Sequence, residues 1–177
     1  ADDAVNYGGI GAVIGHELSH HFDDQGAKYD ETGKLNQWWT DADVAAFKGL
    51  TDKLVRQYDA YAPLPGAHVK GAFTLGENIG DLAGVAVALD AYHASLGGKS
   101  APVIDGMTGD QRFFLGWAQV WRRNYREANL RQRLVTDPHS PSQYRADTVR
   151  NFDEWYAAFK PQPGKITLPP QDRVRIW

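Results

Sequence analysis

The sequence contains no cysteine, which excludes disulfides and thiolate-bound metals and leaves His, Asp and Glu as the strong ligands available. No apolar run approaches the roughly 20 residues that a membrane span requires; the longest candidate, Gly8 to Ile14, is short and glycine-rich. There is no basic block either. The 19 Lys and Arg are mixed with 22 Asp and Glu, for a net charge of -3, so neither a nucleic-acid surface nor a membrane surface is advertised and partners are expected in a cleft. The opening Ala1-Asp2-Asp3-Ala4 has no basic region and no apolar core, so it is not a signal peptide and reads like the start of a fragment.

What is present is 177 residues, 42% of them hydrophobic, enough for one globular domain with one core. The periodicity is helical and no hairpin stands out. Gly8, Gly9 and Gly11 fit a tight entrance to a buried helix running to about Phe22, and Gly11 and Gly15 would let another backbone approach. Thr40 caps a helix that Pro63 ends. Another helix begins near Glu77 and closes at Gly97-Gly98. Thr108 with Gln111 forms a capping box for a long aromatic helix that carries Phe113, Phe114, Trp117, Val120, Trp121 and Tyr125. Residues 134 to 145, with Pro138 and Pro141, are expected to be irregular, and a last helix spans about Asp147 to Lys160 before a proline-rich tail. The fold class is therefore mainly α.

The chemistry concentrates in Gly15-His16-Glu17-Leu18-Ser19-His20. On a helix His16 and His20 lie one turn apart, so both imidazoles can close on one ion while Glu17 stands beside them. A hydrolytic zinc site takes three protein ligands and keeps a position open for water, whose proton an adjacent carboxylate can accept. Glu17 is placed for that role. The extended pattern with a further histidine fails, because Asp23 and Gly26 occupy those positions, and His21 points about 100 degrees away on a helix. A carboxylate farther along is needed, and Glu77-Asn78-Ile79-Gly80-Asp81 offers Glu77 as third ligand. Ligating imidazoles donate their free N–H to carboxylates. Asp81 suits His16, and Asp23 suits His20.

The motifs Asn6-Tyr7-Gly8-Gly9-Ile10-Gly11, Gly15 to His20, Phe22-Asp23-Asp24, Trp38-Trp39-Thr40, Gly76 to Asp81, Ala118-Gln119-Val120-Trp121 and His139-Ser140-Pro141 together resemble the neprilysin family of zinc metalloendopeptidases, which includes the endothelin-converting enzymes and bacterial endopeptidase O. The resemblance spans Asn6 to Trp177. It implies the helical C-terminal part of a zincin of the thermolysin-like, gluzincin type, with one Zn2+ on His16, His20 and Glu77, Glu17 and Asp81 in catalysis, and Asp23 and Asp81 behind the histidines. It further implies that His139 meets the oxyanion, that Arg145 holds a substrate carbonyl, and that Ala12, Val13, Val120 and Trp121 line an apolar subsite for the residue after the cleaved bond. For Trp121 a plain core position is an equal alternative.

Three departures qualify the resemblance. The family's Asn-Ala-x-Tyr edge strand and its helical lid are absent. The chain ends Val174-Arg175-Ile176-Trp177 without the cysteine of animal members, and His21 replaces a small residue. The whole of 1–177 is thus read as the C-terminal part of a larger bacterial peptidase; the family's habit points to the periplasm or cell surface, with a cytoplasmic location as the alternative. The expected function is a zinc-dependent endopeptidase of oligopeptides that cuts on the amino side of bulky apolar residues. The alternative is a zinc-stabilised fragment that needs its N-terminal portion for activity, and a third is a zinc-free helical interaction domain.

Overall fold

A computed structural model describes residues 2–177. Among these residues there are eight α-helices: α1 (Asp3–Asn6), α2 (Ala12–Ser19), α3 (Asp41–Asp59), α4 (Leu75–Ser95), α5 (Gly109–Val120), α6 (Glu127–Thr136), α7 (Ser142–Ala146) and α8 (Asp153–Phe159). The only β-pairing among them is three isolated bridges, Tyr29 with Leu35, Leu64 with Ala67 and Ile104 with Met107. The fold is mainly α, as expected. No helix among the described residues is long and apolar enough to cross a membrane.

α4 is the centre. Asn78 to Ala86 are buried without interruption, followed by Ala88, Leu89 and Tyr92, the pattern of a helix enclosed on all sides. Its most extensive partner is α2. A Cβ added to Gly15 would stand 3.0 Å from Gly84 Cα, and one added to Gly84 would stand 2.4 Å from Ala12 O. The two glycines therefore let the backbones of α2 and α4 touch, which brings side chains of both helices to one spot. Gly11 serves no such approach, since its nearest neighbours are its own Asn6 and Tyr7 at 3.5 Å or more.

The glycines before α2 form a π-helical turn, Tyr7–Gly11, so the chain from α1 to α2 is continuously helical. Gly8 permits this: a Cβ there would fall 1.9 Å from Phe113 O, so α5 crosses on bare backbone. The Thr108 capping box forms with Gln111, and the cap at Thr40 is likewise a capping box, closed by Asp43. At the other end, Trp177 packs its ring against Phe22, Trp39 and Phe47 at 5.8 to 6.3 Å.

Several boundaries differ from those the sequence suggests. α2 stops at Ser19, and His20–Phe22 continue as a 3-10 turn. α5 stops at Val120 and does not reach Tyr125, because the following Arg122-Arg123-Asn124 offers no apolar residue to bury and the Tyr125 hydroxyl instead bonds Ser142 Oγ at 2.7 Å. Residues 134 to 145 are not irregular throughout. Leu134 to Thr136 complete α6, a polar helix with one buried residue and hence no apolar stripe to read, and α7 starts directly after Pro141, a position before the first turn where proline is tolerated. The expected helix from Asp147 splits into a 3-10 turn, Asp147–Asn151, and α8, with Phe152 extended between them.

Candidate metal centre

His16 and His20 project from α2 and the turn that follows it, and Glu77 from the first turn of α4. The close crossing of these helices brings the three together, with one ligand atom from each lying within 4.8 Å of the others. His16 Nε2 is 3.0 Å and His20 Nε2 3.8 Å from Glu77 Oε2. The imidazoles meet edge to face, with centroids 4.8 Å apart.

Both Nδ1 atoms are already engaged. His16 Nδ1 donates to Asp81 Oδ1 at 2.9 Å, and His20 Nδ1 donates to Asp23 Oδ2 at 2.7 Å. Each carboxylate keeps hydrogen on Nδ1 and turns Nε2, the atom left for a metal, toward Glu77. The carboxylates are anchored in turn. Asp23 Oδ1 accepts the backbone N–H groups of Gln25 and Gly26 at 2.8 and 2.7 Å, and Asp81, fully buried, takes Nε and Nη2 of Arg145 at 2.8 and 2.7 Å. This donor set of two imidazole Nε2 atoms and a carboxylate suits zinc. His16 is buried while His20 and Glu77 are partly exposed, which leaves one side of the cluster open.

The charges respond to this crowding. Burial alone would lower the His16 imidazolium, but the hydrogen bonds to Asp81 and Glu77 outweigh it and push the group up to about 9. Burial would likewise raise Glu77, yet the histidines His139 and His16 hold its carboxyl well below the usual range.

The remaining expected site residues are distributed around the cluster. Glu17 is exposed and makes no side-chain hydrogen bond or ion pair among the described residues. His139 Nε2 lies 3.1 Å from the same Glu77 oxygen, and this hydrogen bond raises the His139 pKa. Arg145 is buried with its guanidinium 3.8 Å over the Trp121 ring; with Nε and Nη2 on Asp81, Nη1 is the nitrogen left without a protein partner among the described residues. Val120 is exposed, Val13 and Trp121 are half-buried, and Ala12 is fully buried in the core. His21 is exposed at the edge, with Nδ1 3.1 Å from Leu18 O.

Two supports escaped the sequence reading. Asp137 accepts from both the backbone N–H and Nδ1 of His139 at 2.9 and 2.8 Å; its place two residues before a histidine in a proline-containing turn was the available signal. Asn78, beside Glu77, accepts from Ser140 Oγ at 2.8 Å and so ties the His139 segment to α4. Nothing in the local sequence announces that contact.

Comparison with known proteins follows the same lines. The profile of peptidase family M13 matches residues 1–174. Human endothelin-converting enzyme 1 is 42% identical over 98% of this chain, which covers 23% of that protein, and Neprilysin-3 of Drosophila melanogaster is 37% identical, with 22% of its length covered. Among solved structures, the Mycobacterium tuberculosis zinc metalloprotease Zmp1 in complex with an inhibitor superposes with a TM-score of 0.97 at 57% identity, over all of this chain and 28% of that one. PepO from Lactobacillus rhamnosis gives a TM-score of 0.87 at 40% identity, with 27% of its chain covered. The chain spans about a quarter of the length of the curated relatives it matches.

Proposed function

The chain belongs to peptidase family M13, and on that footing we propose that residues 1–177 are the C-terminal, metal-bearing part of a zinc-dependent endopeptidase that hydrolyses oligopeptides on the amino side of bulky apolar residues. The observation that carries this reading is the convergence of His16 Nε2, His20 Nε2 and Glu77 Oε2, with both Nδ1 atoms already bound to Asp81 and Asp23. One zinc ion held by these three residues would polarise a substrate carbonyl and make water acidic enough to attack it near neutral pH.

The chain's own groups then have separable tasks. Glu17, without a hydrogen-bond or ion-pair partner among the described residues, takes the proton of the attacking water and returns it to the leaving amine. His139, steadied by Asp137, donates from Nε2 to the oxygen on which negative charge develops. Arg145 neutralises Asp81, braces Trp121 and offers Nη1 to a substrate carbonyl. Val120 and Trp121, with Val13 and the underlying Ala12, form the apolar subsite. The 57% identity to the Mycobacterium tuberculosis chain fits a bacterial enzyme, and the family resemblance favours a location outside the cytoplasm.

The test is Glu17→Gln in the full-length protein. It should keep stoichiometric zinc and lose peptide hydrolysis, and undiminished turnover would remove Glu17 from the mechanism.

One observation favours a second reading, that this part alone is catalytically incomplete. Ile10, Ile14 and Leu18, at helical spacing along the metal-bearing helix, are exposed, as are Phe22, Val87 and Trp177. An apolar stripe of this kind calls for a cover, and the other three-quarters of the relatives' length could supply it. If residues 1–177 bind zinc but hydrolyse nothing until the N-terminal portion is added, the second reading holds.

A further inference from the structure

Between Trp121 and Leu134 the chain carries Arg122, Arg123, Arg126, Arg131 and Arg133 against a single acid, Glu127. Along the sequence this looks like part of a mixed surface; the fold sorts it. Arg131 pairs with Glu127 at 2.8 Å and Arg133 with Asp137. Arg122, Arg123 and Arg126 are exposed and form no ion pair among the described residues. In a chain of net charge -3, three uncompensated cations within five residues create a local field opposite in sign to the whole.

This stretch is tied to the metal cluster at two points. At its start, Trp121 lies beneath Arg145, Arg145 holds Asp81, and Asp81 holds His16. In its middle, the Tyr125 hydroxyl bonds Ser142 Oγ at 2.7 Å and accepts the Ser142 N–H at 3.2 Å, just past His139, while the Arg123 guanidinium stands 5.7 Å from the Tyr125 ring centroid. The arginines therefore follow Trp121 directly along the chain, on a stretch of backbone pinned at Trp121 and at Tyr125.

We propose that Arg122, Arg123 and Arg126 form a subsite for acidic side chains of the bound peptide, located beyond the apolar subsite on the leaving-amine side. A guanidinium grips a carboxylate through two parallel charge-assisted bonds, and a cluster of them draws anionic segments in from solution. Because the groups are exposed, the preference should be modest and sensitive to salt. The direction of the peptide rests on the hydrolytic reading above.

The experiment uses the zinc-loaded full-length protein and C-terminally amidated fluorogenic peptides with Leu after the cleaved bond and either Glu-Glu or Lys-Lys at the next two positions. At low ionic strength the ratio of kcat/KM values should favour the acidic peptide about three- to tenfold and approach unity in high salt. Arg122→Glu/Arg123→Glu should reverse the ratio, a readout that a general loss of turnover does not move. A ratio within about twofold of unity, or one that is the same in wild type and variant, overturns the proposal. Binding of the same peptides to the zinc-loaded Glu17→Gln protein, followed by fluorescence anisotropy, reads the preference without turnover. Failure of hydrolysis thus refutes the catalytic reading, whereas equal Kd values for the two peptides refute this one.

Discussion

Replacing Gly84 with alanine should damage the metal centre without altering any residue proposed to bind metal. The new Cβ would sit 2.4 Å from Ala12 O, 2.7 Å from His16 N and 3.0 Å from His16 Cα, where ordinary contact begins at 3.4 Å. All three are backbone atoms, so no rotamer change relieves the clash and α2 must retreat from α4 by about 1 Å. α2 carries His16 and leads into His20, while α4 carries Glu77 and Asp81, so the retreat pulls the ligand set apart. A metal site tolerates only about 0.2 Å. Overpacking of this kind costs about 1–3 kcal/mol, against a gain of about 0.5–1 kcal/mol from exchanging a helical glycine for alanine. We expect a net loss of about 1–2 kcal/mol, or several degrees in Tm for a chain of this size, with zinc affinity reduced at least about tenfold.

The matched control is Gly49→Ala. Gly49 lies within α3, and a Cβ there meets nothing within 4 Å, so the propensity gain should appear alone as a slight stabilisation. Thermal unfolding of the zinc-loaded and chelated forms, with zinc competition against a chromophoric chelator, measures both effects. A Gly84→Ala protein as stable as the wild type, with unchanged zinc affinity, would refute the claim that backbone contact between α2 and α4 sets the ligand geometry.

Other expectations follow from the same geometry. Asp23→Ala removes the partner of His20 Nδ1 and the acceptor of two loop N–H groups, and should weaken zinc binding about 10- to 100-fold in a competition titration. In the chelated protein the His16 pKa of about 9 exceeds its ordinary 6.5, so its stabilising contribution is complete below about pH 6.5 and is lost as pH rises toward 9. The Tm of that form should decline across this window, and a flat profile would contradict the Asp81 and Glu77 contacts. For the same reason, loading zinc near pH 7.5 should release close to one proton from His16, measurable by calorimetry in buffers of different ionisation enthalpy. Thr108→Ala breaks the α5 capping box and should cost about 1 kcal/mol in denaturant unfolding.

The sequence made the local chemistry legible because that chemistry depends on short spacings. His16 and His20 share a face, Asp23 reaches His20 across three residues, and Glu77 and Asp81 lie one turn apart, all consequences of helical geometry. The capping boxes at Thr40 and Thr108 were equally local. Boundaries were less legible wherever a distant contact overrides local preference. Tyr125 leaves the aromatic helix to bond Ser142, and α6 has too little apolar surface to show a period although tertiary packing holds it.

By itself, then, the sequence determined which residue types stand at which helical offsets: two imidazoles, a carboxylate beside them, and a pair of carboxylates later in the chain. Only the tertiary structure decided that these offsets meet. The glycine contact between α2 and α4 brings Glu77 to the histidines, Asp137 and Asn78 hold the His139 segment against them, and ion pairing among the described residues leaves Arg122, Arg123 and Arg126 uncompensated in the stretch after Trp121. The reason is physical. Offsets within a helix are fixed by its pitch, whereas an approach between helices depends on which side chains are small enough to let backbones touch, and that is settled only when both surfaces are present.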